Sequence, residues 1–413
     1  MTPDEAERYL HSRELFGMRF GLDRMRRMMT ALGHPQRRFD SIHVVGTNGK
    51  SSTTRMIEAI LHRHGLRTGA YLSPHLVSYW ERIRVEEMDL ASTAFAAAVA
   101  RAAHAAELVD RSLAEGERVT QFELLTAAAY SELDARGVAV AAVEAGLGGR
   151  YDATNVIPSK VQVLTSVGLE HTRWLGPTIT DIANEKLDVV QEGATLVLGA
   201  GLHPDADAVA ERVAAERHAR LVRAPAEPGV EIGAPGAFQR RNFALARAAA
   251  EAYLGALDLD AVARAAAEVR VPGRLQIIDE HPLVVIDGAH NPEGVTALVE
   301  SLPEVVGQRR PIVAVVSVLD DKDAAGMLSA LIERCDALVF TSSQNPRALP
   351  PPTLLSLSQQ LNGPPGEIVA EPQRAVEYAR RLAGAGGAVL VTGSIYLIAD
   401  LLRPDRATRA STL

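Results

Sequence analysis

Residues 42–61 read IHVVGTNGKSSTTRMIEAIL, and this stretch decides the fold. A β-branched apolar run from Ile42 to Val45 enters a turn holding Gly46 and Gly49. Lys50 and Ser51 then open a segment in which Met56, Ile57, Ile60 and Leu61 recur at helical spacing. Strand, glycine turn and helix in this order make a phosphate cradle: glycines let backbone N–H groups close on an anion, the helix N-terminus adds roughly half a positive charge, and the lysine adds a full one. The expected ligand is a nucleotide triphosphate. Only two residues separate Gly46 from Gly49, fewer than in the common G-x-x-x-x-G-K loop, and a bare G-K-S also occurs at ordinary helix starts.

Outward from this loop, strand-like runs at 138–143, 161–167 and 195–198 alternate with helical patterns, which argues for an α/β fold with parallel sheets covered by helices. A helix is expected from Gln239 to Leu254 and a second helical segment up to Val269. Val271-Pro272-Gly273-Arg274 interrupts the helical period, and strands are predicted again at 283–286, 312–318, 337–340 and 388–391. At 413 residues the chain exceeds the size at which one core stops growing. We therefore expect two domains, 1–271 and 272–413, the second a smaller nucleotide-fold (Rossmann-like) unit. No solenoid period recurs, and the low-complexity stretches are alanine-rich helices and Pro350-Pro351-Pro352.

The chain carries 43 basic and 51 acidic residues, a net charge of -8, which leaves no electrostatic footprint for nucleic acid. Substrate anions must then be held by local clusters. Cys335 is the only cysteine, so no intrachain disulfide forms, in keeping with a reducing compartment. The N-terminus is acidic and polar, unlike a signal peptide, and the most hydrophobic long window, 90–106, is broken by Arg101 and His104. The expectation is a cytoplasmic protein with no membrane partner.

Open α/β sheets bind ligands beyond the carboxyl ends of their strands. The second strand of the first domain runs into Glu144 and then AGLGGRYD; the third runs into Gly168, Glu170 and His171. Lys50, Glu144 and His171 could therefore converge. A carboxylate beside a phosphate loop suits Mg²⁺, although Glu144 could instead cap the glycine turn, and a loop histidine is usually only a hydrogen-bonding residue. Thr120-Gln121-Phe122-Glu123 has capping-box spacing, which structure alone explains. Lys186 reads as a solvated charge on a helix whose buried side is marked by Ile179, Ile182, Ala183, Leu187 and Val190. In the second domain an apolar strand empties into Asp287-Gly288-Ala289-His290-Asn291-Pro292, a turn that a helix start accounts for but whose Asp and His also suggest a ligand contact. Arg274, just past the interruption, could reach back to a phosphate.

Taken together, these blocks resemble the folylpolyglutamate synthase and dihydrofolate synthase branch of the Mur ligase superfamily. They run from GLDRM at 21–25 through GTNGK, SPHL with ERI, TQFE, EAGLGGRYDATN, GLEHT, NEK, PGRL and DGAHNP to DDKD, NPRAL and GSIYL at 393–397, and they span nearly the whole chain. The resemblance implies a P-loop Mur-ligase-type ATPase domain followed by a Rossmann-like domain. It implies ATP-dependent joining of L-glutamate to a pteroate or folate carboxylate, with release of ADP and phosphate. Position by position, Thr47, Asn48, Gly49, Lys50, Ser51 and Ser52 match the ATP loop, and Asn242, Arg274 and Asp287 match further ATP contacts. Ser73, Glu144, His171 and Lys186, the last as a carbamate, match the sites of Mg²⁺, with two ions expected and K⁺ a further candidate. Gly21, Leu22, Asp23, Arg24, Thr120, Gln121, Phe122, Glu123, Tyr151, Asp152 and Ala153 match the pteroate site.

The implied chemistry is phosphoryl transfer to the substrate carboxylate, then attack of the glutamate amine on the acyl phosphate. Mg²⁺, Lys50 and Arg274 would neutralise charge, and Asp287 and His290 would orient ATP or glutamate across the interdomain cleft. A neutral Lys186 amine would react with CO₂, its pKa lowered by a neighbouring cation. Two departures stand out. Many members follow the loop lysine with glycine, whereas Ser51 and Ser52 stand here and leave open which hydroxyl faces Mg²⁺; and after Glu185-Lys186 the family often continues AGII where this chain has LDVV. The leading expectation is a bifunctional enzyme acting on 7,8-dihydropteroate and on reduced folates. The alternatives are a single activity of either kind, or a nucleotide-dependent regulator that kept the fold. A Mur-type cell-wall ligase would need an N-terminal nucleotide-sugar domain, and the lead of about 40 residues before the loop is too short for one. A monomer is expected, and the preferred folate, the polyglutamate length and the glutamate-binding residues are left open.

Overall fold

The computed structural model describes residues 1–13 and 21–403. Strands β1 (Asp40–Val45), β2 (Thr68–Tyr71), β3 (Ile83–Val85), β4 (Met88–Asp89), β5 (Val140–Glu144), β6 (Val161–Leu164), β7 (Thr195–Leu198) and β8 (Arg220–Arg223) form one sheet in the order β4-β3-β2-β5-β1-β6-β7-β8. All neighbours from β2 to β8 are parallel, and β3 and β4 add an antiparallel edge. β1 lies at the centre, between β5 and β6, where the connections change direction across the sheet and leave a crevice at its carboxyl end. Its register, Val44 opposite Glu144 and Val45 opposite Leu164, brings the ends of all three strands to one edge.

The apolar face of helix Lys50–Arg63 explains why it follows β1 so closely. Met56, Ile57, Ile60 and Leu61 are buried with Ile42, Val44, Val140 and Val163, and helix Ala237–Leu254 covers them with Phe243, Ala246 and Ala250. On the opposite face, helices Ser92–Asp110 and Gln121–Ala135 bury Tyr71, Ala141 and Val143. No helix among the described residues is long and apolar enough to cross a membrane.

The second sheet comprises β9 (Gln276–Glu280), β10 (Leu283–Ile286), β11 (Ile312–Val316), β12 (Ala337–Phe340), β13 (Gly366–Ile368) and β14 (Ala388–Thr392), in the order β13-β12-β11-β14-β10-β9. Only β9 runs antiparallel. Helices Pro292–Val306 and Ala324–Ile332 cover one face, and Pro372–Ala383 and Ile395–Leu402 the other. The mixed α/β class and parallel-rich sheets agree with the sequence reading. That reading passed over β3, β4, β8, β9 and β13, which are very short or lie at sheet edges, and β2, which is buried inside the sheet but reads TGAY and so carries little apolar pattern.

One buried titratable side chain makes the first sheet sensitive to acid. His43 on β1 is fully buried; its Nε2 lies 2.8 Å from Thr154 Oγ1, and its Nδ1 has no hydrogen-bond partner among the described residues. Burial lowers its pKa from 6.5 to about 4. The unfolded chain therefore binds this proton below pH 6.5 while the folded chain resists it. The neutral ring's contribution is complete above about pH 6.5 and is lost as pH falls through 4, roughly 3 kcal/mol at most. His43→Gln should flatten the decline of melting temperature between these pH values. Parallel profiles for the two proteins would contradict the assignment.

Candidate active site

The nucleotide loop is held from beneath by the end of β6. Asn48 N donates to Ser166 Oγ at 2.9 Å, and Asn48 O accepts from Thr165 Oγ1 at 2.6 Å; Thr47 Oγ1 accepts from Gly168 N at 3.0 Å. Gly46 has φ +151°, and a Cβ there would lie 1.8 Å from Thr165 Oγ1. Gly49 has φ +85°, and its Cβ would lie 2.5 Å from Asn242 Oδ1. Both glycines of the shortened spacing are thus required by the fold as well as by any anion. Gly46→Ala should cost at least the roughly 1–3 kcal/mol of a strained backbone conformation, read as a fall in the denaturation midpoint. An unchanged midpoint would contradict this packing.

Lys50 Nζ donates to Gly46 O and Thr47 O, each at 3.1 Å. Glu144, 1% exposed at the end of β5, accepts from Ser51 Oγ at 2.8 Å and from Ser73 N at 3.0 Å. Burial raises its pKa, against the pull of Lys50, the two hydrogen bonds and Arg274. Of the two hydroxyls after the loop lysine, Ser51 is therefore the one at the carboxylate. Ser73 Oγ is buried and has no hydrogen-bond partner among the described residues. Among those residues no cluster of three or more His, Cys, Asp or Glu is placed to hold a metal. The donor set is instead one carboxylate with neighbouring hydroxyls, one of them an orphan, and this fits Mg²⁺, which takes one or two carboxylates and completes its shell with phosphate and water.

Lys186 departs from its sequence reading as a solvated charge. It is 4% exposed, and its Nζ donates to Gly46 O at 2.8 Å from beneath the loop. Burial, and then the nearby Lys50 ammonium, lower its pKa to about 7. The sequence did contain the signal, because Lys186 stands three and four residues after Ala183 and Ile182, on the buried face of helix Ile179–Leu187. Asp188, by contrast, pairs with Arg150 and Arg217. His171 adopts a left-handed conformation, φ 54° and ψ 33°, and lines the cavity. Its side chain is reachable from the open cleft, yet the surrounding walls disfavour the charged ring, and Lys322, Lys50 and Lys186 add to the depression that Glu170 opposes.

The second domain closes over this edge. Asn48 and Asn291 exchange side-chain amide hydrogen bonds of 3.3 and 3.0 Å. Glu170 accepts from Lys322 Nζ at 2.9 Å and lies 3.4 Å from His290 Nε2. Burial would raise the pKa of Glu170, but His290 and Lys322 outweigh it and hold the carboxyl well below its usual range. His290 Nδ1 lies 2.9 Å from Gly288 O. Asp287 is buried and accepts from Leu275 N at 2.9 Å and Ala289 N at 2.8 Å, so it ties the segment after Arg274 to the end of β10. Among the described residues, the hydrogen bond of the Arg274 side chain is a 3.4 Å contact to Gly273 O.

A single cavity of about 1030 Å³ is lined by the loop, Ser73, Glu144, His171, Asn242, Arg274, Asp287 and His290, and also by Gly21, Arg24, Thr120, Phe122, Glu123, Tyr151, Asp152 and Ala153. Arg24 Nε lies 3.0 Å from both carboxylate oxygens of Glu123, which also closes the capping box with Thr120. Asp152 is turned inward to Leu147 N and Thr154. Leu22, Asp23 and Gln121 do not line the cavity. Leu22 packs inward, Asp23 pairs with Arg27 at the surface, and Gln121 donates to Leu10 O.

A Bacillus subtilis dihydrofolate synthase/folylpolyglutamate synthase is 33% identical over 96% of this chain and 97% of its own length, and an Escherichia coli relative of the same name is 32% identical over 97% and 94%. The chain belongs to the dihydrofolate synthase/folylpolyglutamate synthase family. Residues 273–395 match the Mur ligase, glutamate ligase domain. A Mycobacterium tuberculosis folylpolyglutamate synthase complexed with ADP and AMPPCP aligns with a TM-score of 0.89 at 32% identity, over 96% of each chain. An Escherichia coli FolC in complex with DHPP and ADP aligns at 0.86 and 30%, over 97% of each. Within this family fold, the sequence reading takes His171 from GLEHT but gives Glu170 and the Lys322 of DDKD no role, and the structure joins these two as an ion pair. Thr165, Ser166 and Asn291, which hold the loop, also carry no role in the sequence reading; their position past the ends of β6 and β10 is the available signal.

Proposed function

We propose that the chain catalyses ATP-dependent ligation of L-glutamate to 7,8-dihydropteroate and to the γ-carboxylate of tetrahydrofolates, releasing ADP and phosphate. The observation that carries this reading is the one cavity lined both by a phosphate loop and by the Arg24, Phe122, Glu123 and Tyr151 wall. Phe122 and Tyr151 offer ring faces for a flat heterocycle, and the Arg24–Glu123 pair offers a donor and an acceptor for its polar edge. Family membership supports the same reaction.

In this mechanism the N–H groups of residues 47–51 and the Lys50 ammonium bind the ATP phosphates, Lys50 leaving its two loop carbonyls to do so. Asn242, beside Gly49, adds an amide to the nucleotide site, and Arg274 neutralises charge from the second domain. Glu144, Ser51 and Ser73 would hold Mg²⁺, which when bound screens the phosphate charge. A substrate carboxylate oxygen attacks the γ-phosphorus and ADP leaves. The glutamate amine then attacks the acyl carbon, orthophosphate departs with the C–O electron pair, and the nitrogen gives up its proton as the amide forms. Lys186 as a carbamate, together with His171, would complete a second cation site. Asp287 sets the Arg274 segment, and His290 holds the cleft through Glu170. Division at 271/272, a monomeric state and a cytoplasmic location belong to the same proposal, the first supported by two separate sheets.

The test is ADP release by the purified protein with ATP, Mg²⁺ and L-glutamate, comparing dihydropteroate, dihydrofolate and tetrahydrofolate. Release with dihydropteroate and with tetrahydrofolate is expected. Release with one alone would assign a single activity, and release with none would overturn the ligase reading.

A further inference from the structure

Behind the nucleotide loop lies a recess of about 40 Å³ whose lining includes Ser51, Arg55, Pro74, His75, Glu81 and Arg274. It has room for a few waters or a small oxyanion. Ser51, Pro74 and Arg274 also line the main cavity, so the recess is a side chamber of the same site. Arg55 stands four residues after Ser51 on helix Lys50–Arg63, and the two project from one face.

The chamber is rich in donors and short of acceptors. Among the described residues neither Arg55 nor Arg274 forms an ion pair with a carboxylate, and Arg274 has only its long contact to Gly273 O. Glu81, the acidic residue in the lining, is already engaged: Oε1 accepts from Val77 N and Ser78 N, and Oε2 from Leu76 N. Arg84, the other cation near Arg55, pairs with Glu58 at 2.8 Å and Asp89 at 2.5 Å, and these two carboxylates and Glu81 act on Arg55 only at longer range, without an ion pair. His75 Nδ1 accepts from Arg82 Nε at 3.0 Å, which assigns the proton of the neutral ring to Nε2. That nitrogen is buried without a hydrogen-bond partner among the described residues. Two guanidinium groups with no ion pair among the described residues, beside an orphaned imidazole N–H, give this partly open recess the donors for an anion, and planar guanidinium forks suit a tetrahedral one.

We propose that this chamber binds a small oxyanion, orthophosphate, between Arg55 and Arg274. Its source rests on the ligation reading: the phosphate released at the loop has this chamber beside it, on the far side of Ser51. Binding itself does not depend on turnover. Occupancy there would let orthophosphate and nucleotide be bound together, so that phosphate inhibits without competing with ATP.

The experiment is equilibrium dialysis of radiolabelled orthophosphate against the full chain, with Mg²⁺ and saturating AMPPCP so that the nucleotide loop is filled. Wild-type protein should bind phosphate saturably. Arg55→Gln should weaken that binding about tenfold or more, Arg55→Lys should weaken it less, and both should keep the wild-type affinity for AMPPCP. Absence of saturable binding to the wild type, or an unchanged dissociation constant in Arg55→Gln, would overturn the proposal, and the first result needs no variant to fold. Phosphate binding that depends on Arg55, in a protein that releases no ADP with any pteroyl substrate, would leave the chamber standing and remove only the ligase reading.

Discussion

Lys50→Ala lowers turnover by about 10²-fold or more, the scale for losing a charge contact made in the transition state, when ADP release is measured at saturating substrate. Among the described residues the side chain bonds only to the carbonyls of Gly46 and Thr47, so its removal breaks no ion pair there and the melting temperature should change little. That contrast separates a phosphate-binding lysine from a structural one. The Lys50 ammonium also helps to depress the pKa of Lys186. Its loss therefore raises that pKa and reduces the neutral amine available at pH 7. Near-normal turnover in Lys50→Ala would exclude the phosphate role.

Lys186→Ala is expected to lose about 10²–10³-fold in turnover, and acetate should restore part of it by supplying a carboxylate where the carbamate stood. With a pKa of about 7, the amine is neutral in about half of the molecules at neutral pH, against roughly one in three thousand for an ordinary lysine. Only the neutral amine attacks CO₂. Protein equilibrated with ¹³C-bicarbonate should show a carbamate carbon resonance that is absent from Lys186→Ala. An unmodified lysine in a crystal grown with ample CO₂, or activity that acetate leaves unmoved, would count against carbamylation.

What the sequence disclosed followed how far each feature acts along the chain. β1, β7, β10 and β12 are apolar runs bounded by turns, and their local pattern suffices to place them. β8 and β9 are half-exposed and partly charged, and β13 has three residues, so alternation carries little signal there. The loop and Glu144 were legible because both stand at strand ends. The burial of Lys186 was legible in principle from helix spacing, but a lysine's usual preference for solvent outweighed the pattern. Glu170 and Lys322 are 152 residues apart, and Asn48 and Asn291 are 243 apart; no local rule joins such pairs until both sheets are built. Leu22, Asp23 and Gln121 show the reverse limit, since a motif can match while individual side chains within it turn to the core or to the surface.

The reciprocal amide pair between Asn48 and Asn291 fastens the nucleotide loop to a domain that begins more than two hundred residues later in the chain. A ligand that reshapes the loop must therefore do work on the placement of the second sheet, and anything that shifts the second sheet must alter the grip on nucleotide by the same free energy. The two halves are thereby made to count each other's occupancy. Titrating nucleotide against Asn291→Ala would measure that mutual reckoning with no turnover at all.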